Sequence, residues 1–292
     1  MLDTPDLTKL FNRHQKAVLS FSGGKDSLVC LHLCRSYRDK LTVAWVNTGA
    51  AFPHMAKFIR KATEDFNFVE LKSDQDAWIE QYGLPSDMMP VVNSIWSIWR
   101  DPAAPDPPQT LLQPWTSCCA KLRFTPLLEY LGKSDATLFL HGQRRSDGGG
   151  FCADSRPGAA VEICKLLWEW SDNDILDYIG EHGIELPEQY GHGVVDSLDC
   201  WNCTARGGDS TALNEAKLAY MARRYPNLFE KLKLRMGKVY LATKATFDEV
   251  RADTNYVWLK AAEEAEKHQS VQGAGTGGRT RTRRNRKRRN RA

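Results

Sequence analysis

The run Ser22-Gly23-Gly24-Lys25-Asp26-Ser27 constrains what this chain can fold into more than any other stretch. Ahead of it stands Ala17-Val18-Leu19-Ser20-Phe21, which reads as a short buried strand that the glycines end. Behind it Leu28, Val29, Leu31 and Leu33 recur, with Cys30 and Cys34 among them, as on a helix from Asp26 to about Arg38. Paired glycines between strand and helix permit a tight turn and let the backbone approach a ligand without side-chain clash. The first helical turn offers unpaired N–H groups and a positive dipole end, which together favour phosphate. Lys25 can neutralise phosphate oxygens, Ser22 and Ser27 can donate from their hydroxyls, and Asp26 can hold Mg²⁺ or cap the helix. The loop follows neither the GxxxxGK spacing of a Walker A turn nor the GxGxxG of a dinucleotide fingerprint.

The same alternation continues downstream. Leu41 to Asn47 reads as a second strand ending at Thr48-Gly49, Pro53 to Phe66 as a helix, and Phe68 to Leu71 as a third strand. Arg123 to Leu131 is expected to be helical, and Thr137 to His141 a strand leading into Gly142. Ser171 with Asp174 forms a capping-box pattern for a helix ending near Gly183, and Ala212–Arg224 and Phe247–His268 are further helical stretches. Strands alternating with helices imply right-handed crossovers and a parallel sheet covered on both faces. Leu84 to Trp115 breaks the pattern with seven prolines and with Trp96 and Trp99. It reads as a lid or substrate loop, or else as an insertion whose tryptophans pack locally.

Charge divides the chain in two. The formal net charge is +4, yet nine of the 40 Lys and Arg fall between Arg279 and Arg291, leaving 31 against 36 acids elsewhere. On DNA or RNA that tail would displace counterions and give salt-sensitive, sequence-independent affinity; the plainer reading is a solubilising extension. Beyond Gln269 there is almost nothing to bury, so residues 269–292 are expected to be disordered. No apolar run approaches the roughly 20 residues of a membrane span. The start, Met1-Leu2-Asp3-Thr4-Pro5-Asp6, has no basic segment followed by an apolar core. A cytoplasmic location with no membrane partner is expected.

Four of the eight cysteines form two pairs, Cys118-Cys119 and Cys200-Trp201-Asn202-Cys203. Without a secretory signal, such pairs suggest a metal or redox site before disulfides. Four thiolates suit a 4Fe–4S cluster or structural zinc. Adjacent cysteines diverge, which two irons of a cubane tolerate better than one tetrahedral zinc, so the cluster is favoured; reduced thiols or a redox pair stay open. Cys30 and Cys34 read as core residues, and Cys152 and Cys164 have no assigned role.

The six-residue loop resembles the SGGKDS signature of the PP-loop ATP pyrophosphatases, or adenine nucleotide alpha hydrolases, which bind ATP and cleave between its α and β phosphates. Within that group, Ala17 to about Thr204 resembles the phosphoadenylyl-sulfate (PAPS) reductase family. Cys118-Cys119 with Arg123, Pro126 and Leu127 is similar to the Cys-Cys…Arg…Pro-Leu segment of cluster-bearing adenylyl-sulfate reductases. Asn47-Thr48-Gly49 with Phe52-Pro53 resembles the family's Asp-Thr-Gly…Phe-Pro stretch, and Gly142-Gln143-Arg144-Arg145 its Gly-x-Arg phosphate or sulfate contact. Leu166 to Ile175 looks like its Pro-Leu…Trp…Asp-Val element, and Tyr190…Cys200…Cys203 its Tyr…Gly-Cys…Cys ending.

The resemblance implies an adenine nucleotide alpha hydrolase-like (HUP-type), Rossmann-like α/β domain over about 1–208, with an insertion at about 84–117. A helical extension over 209–268 and the tail over 269–292 follow. It implies ATP or PAPS held by Ser20, Ser22, Gly23, Gly24, Lys25, Asp26, Ser27, Val46, Thr48, Gly49 and Gly142, with adenine near Val46–Thr48 and phosphates on the loop. Lys25, Asp26, Mg²⁺, Arg144 and Arg145 would act on the phosphates, and Cys118, Cys119, Cys200 and Cys203 would hold the metal. Arg144 and Arg145 also have a plain reading as surface or helix-capping arginines.

Three departures bear on activity. The reductases attack sulfur with the Cys of a C-terminal Glu-Cys-Gly, whereas this sequence has no Cys after Cys203. They usually carry a degenerate loop, which is intact here, Lys included. Asn47 replaces the usual Asp, and His54 stands where Glu is common. The resemblance therefore points to enzymes that join an intact ATP loop to a cluster, as in DNA phosphorothioation and tRNA thiolation. Substrate adenylation with release of pyrophosphate, serving sulfur transfer from a donor protein or nucleic-acid modification, is the leading expectation. PAPS reduction to sulfite and a non-catalytic nucleotide and nucleic-acid binder are the alternatives.

Overall fold

The computed structural model describes residues 4–87, 112–147, 160–195, 197–205 and 211–252. The chain divides into two compact units, Met1–Thr243 and Lys244–Ala292. In the first unit seven strands are described: β1 (Ala17–Ser20), β2 (Leu41–Asn47), β3 (Asn67–Lys72), β4 (Leu84–Ser86), β5 (Leu112–Pro114), β6 (Leu138–His141) and β7 (Glu162–Lys165). Five of them form one sheet in the order β3-β2-β1-β6-β7, every neighbouring pair parallel. β4 and β5 make a separate parallel pair.

Side-chain alternation along the central strands fills both faces. Ala17 and Leu19, Val43 and Trp45, and Leu138 and Leu140 enter the larger apolar cluster. Val18, Ala44 and Phe139, one residue out of phase, enter a smaller cluster on the other face. The helices α1 (Leu7–Arg13), α2 (Lys25–Leu33) and α3 (Pro53–Ala62) cover the larger cluster with Leu10, Phe11, Leu28, Val29, Met55 and Ile59. α4 (Gln75–Tyr82) leads into β4, and α5 (Trp115–Cys119) passes through a wide π-type turn, Ala120–Phe124, into α6 (Thr125–Lys133). Leu127 and Leu131 of α6 cap the smaller cluster. α7 (Asp172–His182) returns to the first face, where Ile175 and Ile179 bury. From β1 the chain winds outward to β3, then crosses back to β6 on the other side. Sheet order thus reverses between β1 and β6, and ligands bind at the carboxyl ends flanking such a point.

Several elements depart from the sequence expectations for identifiable reasons. The helix after the glycine loop ends at Leu33, and a tighter turn, Arg35–Lys40, follows because Tyr37 leaves helical backbone angles and stacks on Phe11 at 4.3 Å between ring centroids. β7 was not expected, since an edge strand reading Glu-Ile-Cys-Lys carries little apolar signal. The ends of the proline-rich stretch are β4 and β5, while 88–111, with Trp96 and Trp99, lies outside the described residues. Cys152 and the segment 279–291 lie outside them too.

α8 (Thr211–Arg224) is followed by α9 (Pro226–Ala252), which starts well before the expected Phe247. Pro226 suits a first helical position, and Leu228, Leu232 and Met236 recur at four-residue spacing. Tyr220 and Met221 of α8 and Leu232 of α9 bury in the same cluster as β1. The first unit therefore takes in both helices as far as Thr243, beyond the expected domain limit at 208. No helix among the described residues is long and apolar enough to cross a membrane.

A polar clasp fixes α8 to the turn Glu188–His192. The Tyr220 hydroxyl donates to Glu188 Oε1 at 2.7 Å, and Arg224 Nε donates to the same oxygen at 2.9 Å. Hydrogen bonding from Arg224, then from Tyr220, outweighs partial burial and holds the Glu188 carboxyl down at about 2 instead of 4.5. A depressed carboxyl contributes stability that is present above its unfolded value and lost as pH falls towards the folded one. Glu188→Gln should therefore melt below the wild type at pH 7, and the gap should close between about pH 4.5 and 2. Thermal melts across that range check this; a gap independent of pH contradicts it.

Candidate functional site

The glycine loop leaves β1 and turns into α2 under steric compulsion. Gly23 has φ +76°, and a Cβ there would lie 2.7 Å from Ile59 Cγ1 and 3.1 Å from Met55 Cε. At Gly24, the N-cap of α2, a Cβ would come within 3.0 Å of Ser197 Cβ. The loop is thus pressed between α3 and the segment around Ser197. Within it Gly24 N donates to Ser22 Oγ at 3.3 Å, the Ser27 hydroxyl donates to Gly24 O at 2.9 Å, and the two hydroxyls lie 3.3 Å apart. Lys25 N donates to the Tyr190 hydroxyl at 3.1 Å.

Gly142, directly after β6, packs against the first turn of α2. A Cβ there would lie 3.0 Å from Cys30 Sγ and 3.3 Å from the Asp26 carbonyl. This approach delivers Arg144, 6% exposed, to the loop. Its Nε lies 3.1 Å from Asp26 Oδ1, its Nη1 3.0 Å from Asp172 Oδ1 and its Nη2 3.1 Å from Asp147 Oδ1. Lys25 Nζ lies 2.9 Å from Asp26 Oδ2 and 3.0 Å from Asp172 Oδ1. Burial alone would lower the Lys25 pKa, but the Asp26 and Asp172 carboxylates outweigh it and hold it above its usual value. Two cations and three carboxylates form one network. Both Asp26 oxygens face cations in it, so Asp26 as placed does not fit the part of a Mg²⁺ ligand. Arg145 takes no part: it is exposed, pairs with Glu169 and lies 5.9 Å from the Trp168 ring.

Beside the loop, Ser20, Ser22, Val46 and Thr48 line a cleft at the carboxyl ends of β1 and β2, with Arg123, Phe124 and Leu127 opposite. Gly49 makes the turn after β2 at φ +81°, its N–H donating to Asn47 Oδ1 at 3.0 Å, and does not line the cleft. A second cleft of about 300 Å³ adjoins the first. Cys118, Cys119, Cys200 and Cys203 all line it, and Arg123, Leu198, Asp199 and Cys200 line both. Arg123 Nη1 lies 3.0 Å from Asp199 Oδ2 in that common wall.

The cysteine pairs reach this cleft from opposite directions. Cys118 and Cys119 end α5, whereas Cys200 bridges antiparallel to Ala51 and lies 3.2 Å, Sγ to Oγ1, from Thr48. Burial pushes Cys118 and Cys200 up to about 12 and Cys119 to about 11, so these thiols are poor nucleophiles as they stand. Four soft donors on one cleft match an iron–sulfur or zinc donor set in kind and number. Among the described residues no three His, Cys, Asp or Glu side chains are already gathered as a metal site. Cys30 and Cys34 are buried in the core, and Cys164 lies on β7.

Asp199 and the role of Tyr190 under the loop were not singled out from sequence, and Asp172 was visible only within the element from Leu166 to Ile175. Asp172 sits beside the Ser171–Asp174 capping box, which is present as expected and accounts for an acid there without invoking a site. Arg123 and Tyr190 were visible only as members of longer motifs.

A doubly wound parallel sheet with a glycine-pinched loop at its switch point is the architecture of a nucleotide-binding class of α/β protein. Residues 16–206 match the model of the phosphoadenosine phosphosulfate reductase domain, and the chain belongs to that family. A protein of Methanocaldococcus jannaschii described as uncharacterized is 26% identical over 75% of this chain, which spans 47% of that relative's length. A phosphoadenosine 5'-phosphosulfate reductase of Xanthomonas axonopodis pv. citri is 24% identical over 63% of this chain and 70% of its own. Among solved structures, a PAPS reductase of Candida auris in a phosphate complex aligns with a TM-score of 0.46 and 15% identity, over 67% of this chain and 86% of that one. An NH3-dependent NAD synthetase of Campylobacter jejuni aligns with a TM-score of 0.41 and 17% identity, over 81% and 91%.

The loop geometry separates two glycines with the same sign of φ. Gly183, the C-cap of α7 at φ +61°, has open space around a would-be Cβ, whereas Gly23 has Ile59 at 2.7 Å. Gly183→Ala should cost about 1 kcal/mol for the left-handed backbone alone, and Gly23→Ala roughly 1–3 kcal/mol more for the added clash. Urea unfolding of both variants reads the difference; equal losses would contradict the pinch.

Proposed function

We propose that this chain is an adenine-nucleotide-dependent enzyme that cleaves ATP to AMP and pyrophosphate, adenylating an acceptor in sulfur transfer or nucleic-acid modification. The observation that carries the reading is the common wall: the cleft beside the phosphate loop and the cleft lined by four cysteines share Arg123, Leu198, Asp199 and Cys200. Adenine would occupy the cleft at Ser20, Val46 and Thr48, and the phosphates would meet Ser22 to Ser27. Lys25 and Arg144, already fixed by carboxylates, would stabilise charge gathering on the phosphates as an acceptor oxygen attacks the α phosphorus and pyrophosphate leaves; AMP would leave with that oxygen when a sulfur nucleophile displaces it from the adenylated acceptor.

Cys118, Cys119, Cys200 and Cys203 would hold a 4Fe–4S cluster, with the side chains closing on it and losing their protons. Such a group supplies electron-transfer or sulfur-binding chemistry when present. The basic run Arg279–Arg291 supports a nucleic acid as the acceptor. Sulfite formation from PAPS is the second reading, favoured by the name of the 24% identical Xanthomonas relative.

Labelled ATP and PAPS separate the readings. The wild type should yield AMP and pyrophosphate, and Lys25→Ala should lower that release by about 100-fold or more, as loss of a preorganised charge does. Sulfite from PAPS without pyrophosphate from ATP would select the second reading, and neither product a binding protein. Anaerobic purification should bring down about four irons per chain, with Cys200→Ser retaining less than half. One zinc per chain would overturn the cluster.

A further inference from the structure

Asp172 holds an unusual position in the charge network. A single oxygen, Oδ1, lies 3.0 Å from both Lys25 Nζ and Arg144 Nη1. Bridging two cations with one anionic oxygen is what a phosphate oxygen does in an anion site. The three carboxylates differ in how easily they move: the Asp172 side chain is 65% exposed, against 28% for Asp26 and 38% for Asp147. Asp172 is also free of the duty its place suggests. The start of α7 is capped by Ser171 and Asp174, so the Asp172 carboxylate can rotate away without unravelling the helix. When it does, Lys25 keeps Asp26, and Arg144 keeps Asp26 and Asp147.

We propose that Asp172 sets the affinity of this site, as an internal anion that occupies the place of a phosphate oxygen between Lys25 and Arg144 and must be displaced for ligand to bind. This rests on the reading of the loop as a phosphate site. Displacement costs every ligand the same, so it lowers every affinity by one factor and matters most for the ligands that bind weakest. Free phosphate and pyrophosphate have only the loop and its cations to bind, and the cost keeps them out. A nucleotide adds the contacts of its adenosine portion in the neighbouring cleft and still binds. The same carboxylate returns to the two cations as pyrophosphate departs, which speeds release. Damage to the fold would weaken binding, whereas removal of an internal competitor strengthens it, so the sign of the effect separates the two.

Titration calorimetry on the full chain with inorganic pyrophosphate and with ATP, in buffer free of divalent cations, tests this. Asp172→Asn and Asp172→Ser should each bind both ligands about tenfold more tightly than the wild type, since each of two ion pairs exposed at the Asp172 end accounts for a factor of up to about five. Both variants should also show stronger product inhibition by pyrophosphate. Unchanged or weaker pyrophosphate binding in a folded variant, judged by its thermal transition, would overturn the proposal while ATP binding by the wild type leaves the phosphate-site reading standing. Failure of the wild type to bind ATP at all would remove that reading, and this inference with it.

Discussion

The close approach of Gly142 to the first turn of α2 is the contact on which the rest of the site depends. β1 and β6 are parallel neighbours, and the segments leaving their carboxyl ends meet above the sheet. A Cβ at Gly142 would lie 3.0 Å from Cys30 Sγ and 3.3 Å from the Asp26 carbonyl, so a glycine lets the strand end come this near the helix without its neighbours giving way. That proximity carries Arg144 onto Asp26 and, through Asp172, onto Lys25. Two cations from segments 119 residues apart in sequence thereby become one electrostatic unit whose geometry is set before any ligand arrives. A preorganised charge spends no reorganisation energy at the moment of reaction, the condition under which such groups matter most to catalysis.

The sheet was legible in the sequence because its signals are local. Strict alternation or continuous apolar runs at Ala17–Phe21, Leu41–Asn47 and Thr137–His141 mark strands wherever they fall. The capping box at Ser171 and Asp174 and the left-handed Gly183 mark both ends of α7 with three residues alone. What could not be read was tertiary. Nothing about Asp172 distinguishes it from a helix-start acid until α7 is laid against α2. Arg144 and Arg145 are equivalent in a string of letters; the fold buries one among carboxylates and turns the other to solvent. The start of α9 at Pro226, inside the expected helical extension but well before Phe247, was not read because its apolar positions are sparse among lysines and arginines, and only packing reveals which of them face the core.

The cysteines illustrate the same divide. Their pairing was visible, and their convergence on one cleft required the fold, since α5 and the Cys200–Cys203 segment reach it from different parts of the chain. Trp201 N donates to Ala50 O at 2.9 Å and Cys203 N to Cys200 O at 3.2 Å, tying that segment to the loop after β2. The Thr204 hydroxyl donates to the Pro85 carbonyl, tying its other end to β4. The thiols are thus anchored to the strand that bears Val46 and Thr48, which is why the two clefts have a wall in common.

α8 belongs to the foundations of the loop although it lies far from it in sequence. Tyr190, whose hydroxyl receives the Lys25 amide, sits on the turn Glu188–His192. That turn is gripped at Glu188 by Tyr220 and Arg224, and at Gln189, whose Oε1 lies 2.9 Å from His54 Nε2. His54 in turn stacks on Tyr225 and lies 2.7 Å, through Nδ1, from its hydroxyl. Burial lowers the His54 pKa, keeping the ring neutral so that it can both donate and accept within this chain of contacts. A helix that sequence alone assigns to an extension therefore reaches the first amide of α2 through three side-chain links. With the Glu188 carboxyl held down at about 2, the grip at the far end of that chain of contacts persists until strongly acid pH.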